Sequence, residues 1–572
     1  MKLVIVGAVA GGASAAARAR RLDEDAEIIL LERGPEPSFA NCGLPYYVGG
    51  VIEDRDALLV TPMEWLRNRY RLDVRPLSEV TAIDRQRKMV AIKNLVTGEW
   101  YEQPYDKLIL SPGAAPLRPS IPGIDLPGIH TLRDLRDADR LHAAVAQASR
   151  AVVVGAGFIG LEMVENLVRR GIETTVVELS DQILPPWDAE MVVPLAKHLQ
   201  TQGVKLHLAD AAAAFERIHR AGDAKPRQEG PIRVRLQSGL ELEADLVIMS
   251  VGVRPENRLA VEANLEVGPR GGIRVNRSMQ TSDPDIYAVG DAVEVQHFVD
   301  GAGVQIALGG PANRQGRLAA QHLLGRSGHY RGTQGTSIVG LFGMAAAMTG
   351  YSEKMLVRAE IPHEKIYVHP GHHAGYYPGA QPISIKLLFC PQTGKVLGAQ
   401  AVGWEGVDKR IDVLAMAIQA GMTAYDLEEA ELAYAPQFGS AKAPANMTGF
   451  VAAGVLRGDQ PIVHAAALLP MRNDPGTAAE PFVLDVRNAD EFAEGHIEGA
   501  VNISIDQLRQ RLDDVPCDRS VIVYCKVGMR GYLATRLLAQ RGYQVANLSG
   551  GWTTYGHVAE AINFRPMART AD

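Results

Sequence analysis

Cysteine is scarce in this chain. Among 572 residues there are four, Cys42, Cys390, Cys517 and Cys525, with no CxxC pair and no cysteine/histidine cluster at metal-ligand spacing. That excludes a disulfide-stapled scaffold and a zinc centre, and it fits a reducing compartment, the cytoplasm. No apolar run approaches the roughly 20 residues that cross a bilayer, so no membrane association is expected. An excess of basic charge is missing as well. The formal net charge is -7, which removes the electrostatic footprint of a nucleic-acid binder and makes any anion binding local. What remains, 47% hydrophobic and 22% charged residues, is an ordinary globular composition, and the length calls for three or four domains.

The glycine that is present is placed. KLVIVG (2–7) reads as a short apolar strand, GAVAGG as a turn, Ala13 to Leu22 as a helix, and EIILLER as a second strand ending in Glu32 and Arg33. The plan recurs at AVVVGAGFIGLEMVENLVRRGIETTVVE, residues 151 to 178, where Gly155, Gly157 and Gly160 complete GxGxxG, Phe158 opens the helix and Glu178 closes the unit. Such glycines tighten the turn and let the backbone approach a pyrophosphate. The helix N-terminus faces that charge, and the acid accepts ribose hydroxyls. Two units imply two dinucleotides. In the first, Gly7, Ala10, Gly11 and Gly12 form the turn and Val9 stands where the middle glycine is usual. The N-terminal segment could pass for a signal peptide, but it makes complete sense as strand, turn and helix. Because Glu178 is followed by Leu179 and Ser180 rather than an arginine, NADH is expected over NADPH at the second unit, with NADPH as the alternative.

A third segment, TSDPDIYAVGDAVEV, is a strand ending in Gly290 and Asp291. In this order the three segments resemble the flavin- and NAD(P)H-binding pyridine nucleotide-disulfide oxidoreductase superfamily, in which such an Asp binds the flavin ribityl chain. The implied fold class is α/β: an FAD-binding domain from residues 1–115 and 255–330, an NAD(P)H-binding domain at 116–254, and an α+β dimerisation domain at 331–456 that completes the partner's site in a homodimer. Within the last, KLLFCPQTGKVLGAQAVG reads as a hairpin and IDVLAMAIQAGM as a helix. Residues 457–480 mix Pro, Gly, Asp and Ala without a period and read as a linker. The remainder, 481–572, with LDVR, YCKVGMRG and NLSGGW, resembles a rhodanese domain.

Cys42, in SFANCGLPYY, falls ten residues after Glu32, and no second cysteine lies near it. Oxidising equivalents must then be held as a mixed disulfide with a substrate thiol or as a sulfenic acid. A small buried core residue is the plain alternative. However, Asn41, Gly43 and Pro45 make a turn, and exposure near positive charge would activate the thiol. SFANCGLPYY, GAGFIGLEMVENL and YAPQFGSAKAP resemble the coenzyme A-disulfide reductase branch. That resemblance implies Ser14, Arg18, Arg21, Ser38 and Asn41 as coenzyme A contacts, Lys442 as a contact from the partner subunit, and Tyr376 and Tyr434 near the opposite subunit's cysteine. The residues alone show only that Arg18 and Arg21 share a helix face, which solvation would also explain. The single-cysteine peroxidases, close relatives, carry a histidine in the first glycine turn where this chain has Ala10.

Cys525 ends the strand SVIVY and precedes a helix expected to begin near Tyr532. The loop's N–H groups, the helix dipole and Arg530 would stabilise its thiolate and persulfide. Six residues from Cys525 to Arg530 suit a single transferable sulfur, one residue fewer than rhodanese-like phosphatases use for phosphate. Asp485 and Arg487 match the rhodanese residues that brace this loop. Cys390 and Cys517 are assigned no chemistry, His496 is expected to satisfy a local hydrogen bond, and no metal site is expected.

Together these features resemble the coenzyme A-disulfide reductase and rhodanese fusions, also described as NADH-dependent persulfide reductases. The resemblance implies FAD, NADH and coenzyme A as cofactors and small persulfide, polysulfide or disulfide substrates. An NADH oxidase or peroxidase cycling a sulfenate at Cys42, and a non-catalytic redox sensor or sulfur carrier, are the rival readings.

Overall fold

The computed structural model describes residues 1–218, 230–466, 468–469 and 481–563. The chain divides into two compact units, one of Met1–Val177 with Val204–Gly335, the other of Glu178–Gly203 with Thr336–Asp572.

The first unit is built on parallel sheets. The strand Lys2–Val6, all but its first residue buried, pairs in parallel with Glu27–Leu31 on one side and Lys107–Leu110 on the other. Asp73–Arg75 and Ile286–Ala288 form the edges. Apolar runs buried on both faces are what a parallel sheet covered by helices demands. The helix of the first unit spans Ala10–Leu22, starting three residues before the Ala13 expected from sequence. Ala10 and the two glycines after it already have helical backbone, so the turn is shorter than GAVAGG implied. Its inward face is Gly11, Gly12, Ala15, Ala16 and Ala19. Residues this small let the helix Gly309–Leu323 approach so closely that a Cβ on Gly316 would lie 2.1 Å from the Gly11 carbonyl oxygen. A second five-stranded sheet runs Lys205–Leu208, Glu173–Glu178, Arg150–Val154, Leu246–Met249, Ile129–His130, with the helix Phe158–Arg169 following its central strand. The unit also has three-stranded antiparallel sheets of Ser78–Asp84, Met89–Asn94 and Trp100–Pro104 and of Ala212–Arg217, Ile232–Leu236 and Glu241–Ala244, a two-stranded one of Val253–Pro255 and Ala114–Pro116, and a three-stranded sheet of Ile273–Arg274, Val293–Gln296 and Gly303–Val304.

In the second unit an antiparallel sheet runs Ser337–Leu341, Met344–Gly350, Val396–Gly403, Ile383–Phe389, Glu364–Val368. The hairpin expected around QTGK is the pair Ile383–Phe389 and Val396–Gly403, and every residue of the latter strand is buried. Of IDVLAMAIQAGM, Ile411 to Ala420 lie within the helix Val407–Ala420, and Gly421, in the left-handed conformation, ends it. A parallel sheet follows, ordered Ile462–Val463, Val545–Leu548, Val521–Tyr524, Phe482–Asp485, Val501–Asn502. Its first strand comes from the stretch expected to be a linker: Ile462 pairs with Asn547 and Val463 with Leu548. Residues 467, 470–480 and 564–572, the rest of that stretch and the chain's end, lie outside the described residues.

Among the described residues no helix is long and apolar enough to cross a membrane.

Candidate active site

Both glycine turns have the shape a dinucleotide needs. In the first, Gly7 has φ +92°, and a Cβ on Gly12 would lie 1.8 Å from the Gly7 carbonyl oxygen, so strand and helix meet with no side chain between them. In the second, Gly155 has φ +106° and a Cβ on Gly160 would lie 2.0 Å from its carbonyl oxygen. The middle glycine differs. A Cβ on Gly157 would meet nothing within 4 Å, so that space belongs to an approaching backbone or phosphate. Glu32 accepts from the Ala8 N–H at 2.8 Å and the Gly34 N–H at 2.7 Å. Its carboxylate is thereby fixed at the end of the strand, and two oxygens with about four lone-pair sites retain capacity for a ribose. Arg33 turns toward Glu256 at 3.3 Å. Gly290 donates its N–H to the Gln315 side chain at 2.8 Å, and burial pushes the Asp291 carboxyl up. Glu178 ends the strand Glu173–Glu178 and accepts from the Ser180 N–H at 2.8 Å. The residues fit FAD at the first turn and a nicotinamide dinucleotide at the second.

Cys42 sits in the short helical turn Asn41–Gly43 and reaches the surface. Its electrostatics differ from the sequence expectation of nearby positive charge. Protein packed around the sulfur pushes the thiol up, and the carboxylates of Glu162 and Asp291 add to it. Four residues on, the Tyr46 phenol is hydrogen-bonded to Glu162, and burial followed by that carboxylate raises it to about 12. Glu162 itself is pushed up to about 7, by burial first and then by Glu165. The two elements interlock: a Cβ on Gly49, just after the helix Leu44–Val48, would lie 2.0 Å from the Asn166 Oδ1 on the helix Phe158–Arg169. Sequence reading missed Glu162 and Tyr46. Both stood inside quoted motifs, LEMVEN and LPYY, but their contact joins segments over a hundred residues apart.

The residues assigned to coenzyme A divide by unit. Ser38 has a left-handed backbone (φ 55°), is buried, and donates its N–H to the Ala8 carbonyl at 2.7 Å, which ties it to the first glycine turn. Asn41 adjoins Cys42. Ser14 hydrogen-bonds Asn313 on the neighbouring helix. Arg18 lies in a field of like charge: burial, then the guanidiniums of Arg317, Arg21 and Arg326, hold it below its ordinary value, and its Nε is buried without a partner. Arg317 and Arg326 were not legible from sequence, since close packing of distant small-residue helices brings them there. On the second unit, the Tyr376 and Tyr434 hydroxyls lie 2.6 Å apart, and the residues are 75% and 48% exposed. Lys442 is exposed, with its ammonium 5.9 Å from the centre of the Phe450 ring.

Cys525 is buried at the end of Val521–Tyr524, and the Gly528 N–H donates to its sulfur at 3.1 Å. The helix that follows is Met529–Ala539, three residues earlier than expected, so its N-terminus stands close to the sulfur. Arg530 touches Cys525 but is held in a fork by Glu491 at 2.6 and 2.7 Å, which drops that carboxyl to about 2. The Arg530 charge expected to favour a negative sulfur is shared with Glu491. Asp485 and Arg487 form a buried bidentate pair, 2.7 Å at its shortest. The Arg487 guanidinium stacks over Tyr524, the residue before the cysteine, and over Trp552. His496 bonds the Phe492 carbonyl at 2.9 Å, a local role. Elsewhere in the second unit, Asp188, Glu190 and Glu353 converge as a metal site would. The Lys386 ammonium stands among them at 2.9, 2.6 and 2.5 Å, in the place of a cation.

Residues 1–316 match the family model of pyridine nucleotide-disulphide oxidoreductases, 336–445 that family's dimerisation domain and 465–557 the rhodanese-like domain. Over 457 residues the chain is 36% identical to a coenzyme A disulfide reductase of Staphylococcus aureus (strain bovine RF122 / ET3-1), an alignment covering 79% of this chain and 99% of the relative. Among solved structures it resembles reduced Bacillus anthracis CoADR-RHD, with TM-score 0.93, 46% identity and 98% of each chain covered. It also resembles a NAD-dependent persulfide reductase from A. fulgidus, with TM-score 0.88, 35% identity, 97% of this chain and 100% of the other.

Proposed function

The chain belongs to the pyridine nucleotide-disulphide oxidoreductase family, with a rhodanese-like domain after the dimerisation domain, and from that premise we propose an FAD-dependent NADH reductase of coenzyme A disulfide and persulfides that works as a homodimer and carries its own sulfurtransferase. The observation that carries this reading is the solitary, surface-reaching Cys42. Its unit contains no other cysteine, so the redox partner of its sulfur must arrive with the substrate.

FAD held at the first glycine turn and by Glu32 would supply two-electron reduction, with NADH at the second turn as the source of the electrons. The chain's own residues do the rest. The Cys42 thiolate attacks a substrate sulfur and forms a mixed disulfide with coenzyme A, and the other sulfur leaves. Two electrons then cleave that disulfide and regenerate the thiolate. For a persulfide the balance is CoA–S–SH + NADH + H⁺ → CoA–SH + H₂S + NAD⁺. Arg18 and Arg21, with Arg317 and Arg326 beside Arg18, hold the phosphates of the coenzyme, while Ser14, Ser38 and Asn41 line its path toward the sulfur. Tyr434 and Tyr376, hydrogen-bonded to one another, come from the second copy of the chain and donate to the departing thiolate, with Lys442 from the same copy on the coenzyme. The Cys525 thiolate, with its sulfur against the Gly528 N–H, takes the outer sulfane sulfur of thiosulfate or a polysulfide, releasing sulfite or the shortened polysulfide. It hands that sulfur to the thiolate of coenzyme A, which becomes the persulfide CoA–S–SH and carries it to Cys42 on its pantetheine arm while the Cys525 thiolate is returned.

The test is NADH oxidation by the pure enzyme with coenzyme A persulfide, coenzyme A disulfide, polysulfide and oxygen offered singly. Turnover with a sulfur acceptor at least tenfold above that with oxygen is expected. Oxygen as the faster acceptor would return the reading to an NADH oxidase.

A further inference from the structure

The helix Gly551–Asn563 is gripped on two sides by its first turn. Toward the sulfur site, the Trp552 N–H donates to the Cys525 carbonyl at 2.8 Å, and the Thr553 N–H and hydroxyl both donate to the Lys526 carbonyl at 3.0 Å. Contact is so close that a Cβ on Gly551 would lie 2.3 Å from the Cys525 oxygen. Toward the dimerisation sheet, the Thr554 hydroxyl meets His369 Nε2 at 2.8 Å, and the other ring nitrogen of His369 meets the Ser384 hydroxyl at 2.9 Å. Tyr367 closes the same side, 2.8 Å from where a Cβ on Gly550 would stand. Two outlying pairs make further contacts in the same unit: Lys197, on the helix Ala189–Thr201, with Glu560 of this helix at 2.5 Å, and His464, just after the edge strand Ile462–Val463, with Glu364 of the dimerisation sheet at 2.9 Å.

His369 is well suited to a fixed position. Burial, with His557 nearby, lowers it to about 3, so its ring is neutral at physiological pH, with one nitrogen donating and the other accepting. Tyr367 is fixed from below: its hydroxyl donates to Glu190 at 2.7 Å, and Glu190 is paired with the buried Lys386 at 2.6 Å. The dimerisation sheet therefore presents a rigid surface to one turn of helix, and that turn holds the carbonyls at the start of the sulfur-binding loop.

We propose that His369 is a positioning residue for sulfur transfer at Cys525, so that the sulfurtransferase is set by its docking on the dimerisation domain and is not an independent module on a tether. The inference rests on the sulfur-transfer reading of Cys525. The loop stabilises a negative sulfur through backbone N–H groups such as that of Gly528, and their aim depends on where residues 525 and 526 are held. Freeing the first turn of the helix loosens that aim without touching the sulfur.

The test uses the full-length holoenzyme carrying His369→Ala and His369→Gln, the latter able to keep a hydrogen bond to Thr554, and the matched pair Thr554→Val and Thr554→Ser. Three quantities are measured: kcat and KM for sulfur transfer from thiosulfate, NADH-dependent reduction of coenzyme A disulfide, and amide hydrogen exchange over residues 525–530. His369→Ala and Thr554→Val should lower sulfur-transfer kcat by about five- to twentyfold, as loss of this part-buried hydrogen bond implies. The thiosulfate KM and coenzyme A disulfide reduction should stay within about twofold, exchange in the loop should rise, and Gln and Ser should restore most of the loss. Unchanged kcat and unchanged exchange in both loss variants would overturn the proposal. If His369→Ala fails to fold, the Thr554 pair decides by the same criteria. If the unsubstituted enzyme transfers no more sulfur than Cys525→Ala, the reading of Cys525 has failed, and hydrogen exchange alone then decides whether docking controls the loop.

Discussion

Replacing Glu178 by alanine is the sharpest probe of how the enzyme selects its reductant. The side chain is nearly buried, 8% exposed, at the end of its strand, and one carboxylate oxygen is already fixed by the Ser180 N–H at 2.8 Å. A ribose with free 2′ and 3′ hydroxyls would gain charge-assisted hydrogen bonds there of roughly 1.5–3 kcal/mol. A 2′-phosphate brought to about 5 Å would instead be opposed by roughly 1–3 kcal/mol for each unit of its charge, at effective dielectric constants of about 80 to 20. At about 1.4 kcal/mol per factor of ten, the two effects together favour NADH by on the order of a hundredfold or more. In Glu178→Ala the NADH kcat/KM should fall by about ten- to a hundredfold, that for NADPH should hold or rise, and their ratio should come within about tenfold of unity. Steady-state assays with coenzyme A disulfide measure the ratio, and binding of each dinucleotide to the oxidised enzyme gives a second readout free of turnover. An unsubstituted enzyme that uses NADPH as well as NADH, or a ratio untouched by the substitution, would refute the reasoning.

Cys42→Ser should remain yellow and folded, since the proposed flavin contacts do not use that thiol, and should lose at least about a thousandfold in reduction of both disulfide and persulfide; a folded variant with most of its activity would dismiss the one-cysteine mechanism. Glu162 holds its proton more tightly folded (about 7) than at its ordinary 4.5, so stability is lost as pH rises from about 4.5 to 7, by at most roughly 3 kcal/mol. In denaturant titrations the stability of Glu162→Gln relative to the parent should therefore grow between pH 5 and pH 8, with faster Cys42 alkylation at pH 8, and a pH-independent difference would contradict the burial argument. Cys525→Ala should abolish sulfur transfer from thiosulfate and slow turnover with polymeric sulfur, yet leave reduction of coenzyme A persulfide offered directly nearly unchanged; equal losses with both donor classes would end the relay.

The dinucleotide units were legible because their physics is local. A strand, a glycine turn, a helix and an acid lie within about thirty residues of each other, and the steric demands at Gly12 and Gly160 admit no other residue. The sulfur loop was legible for the same reason, although the true helix starts at Met529 rather than near Tyr532. Charge around the two cysteines was not. Positive charge near Cys42 was inferred from the reactivity such a thiol needs, whereas the described neighbours that act on it are Glu162 and Asp291, 120 and 249 residues away in sequence. Arg530 lies beside Cys525, but nothing in YCKVGMRG reveals that Glu491 takes both prongs of its fork.

The linker exposes the same limit from the other direction. A stretch of Pro, Gly, Asp and Ala without periodicity predicts a tether, and composition reports how a chain behaves when nothing holds it. Ile462 and Val463 are held: two residues are enough to add an edge strand to a parallel sheet whose strands Phe482–Asp485 and Val521–Tyr524 are buried throughout. Beyond them the docking of His369 on Thr554 and of Lys197 on Glu560 joins segments 185 and 363 residues apart. A swinging domain would have to break those contacts at each cycle, including the hydrogen bond of half-buried His369 to buried Thr554, for which the cost is about 1–3 kcal/mol if the Thr554 hydroxyl is left unsatisfied. A carrier that moves in place of the domain avoids that cost. On the reading proposed above, with the phosphates of coenzyme A at Arg18 and Arg21, the long pantetheine arm would be such a carrier, and sulfur would travel on the coenzyme rather than with the domain.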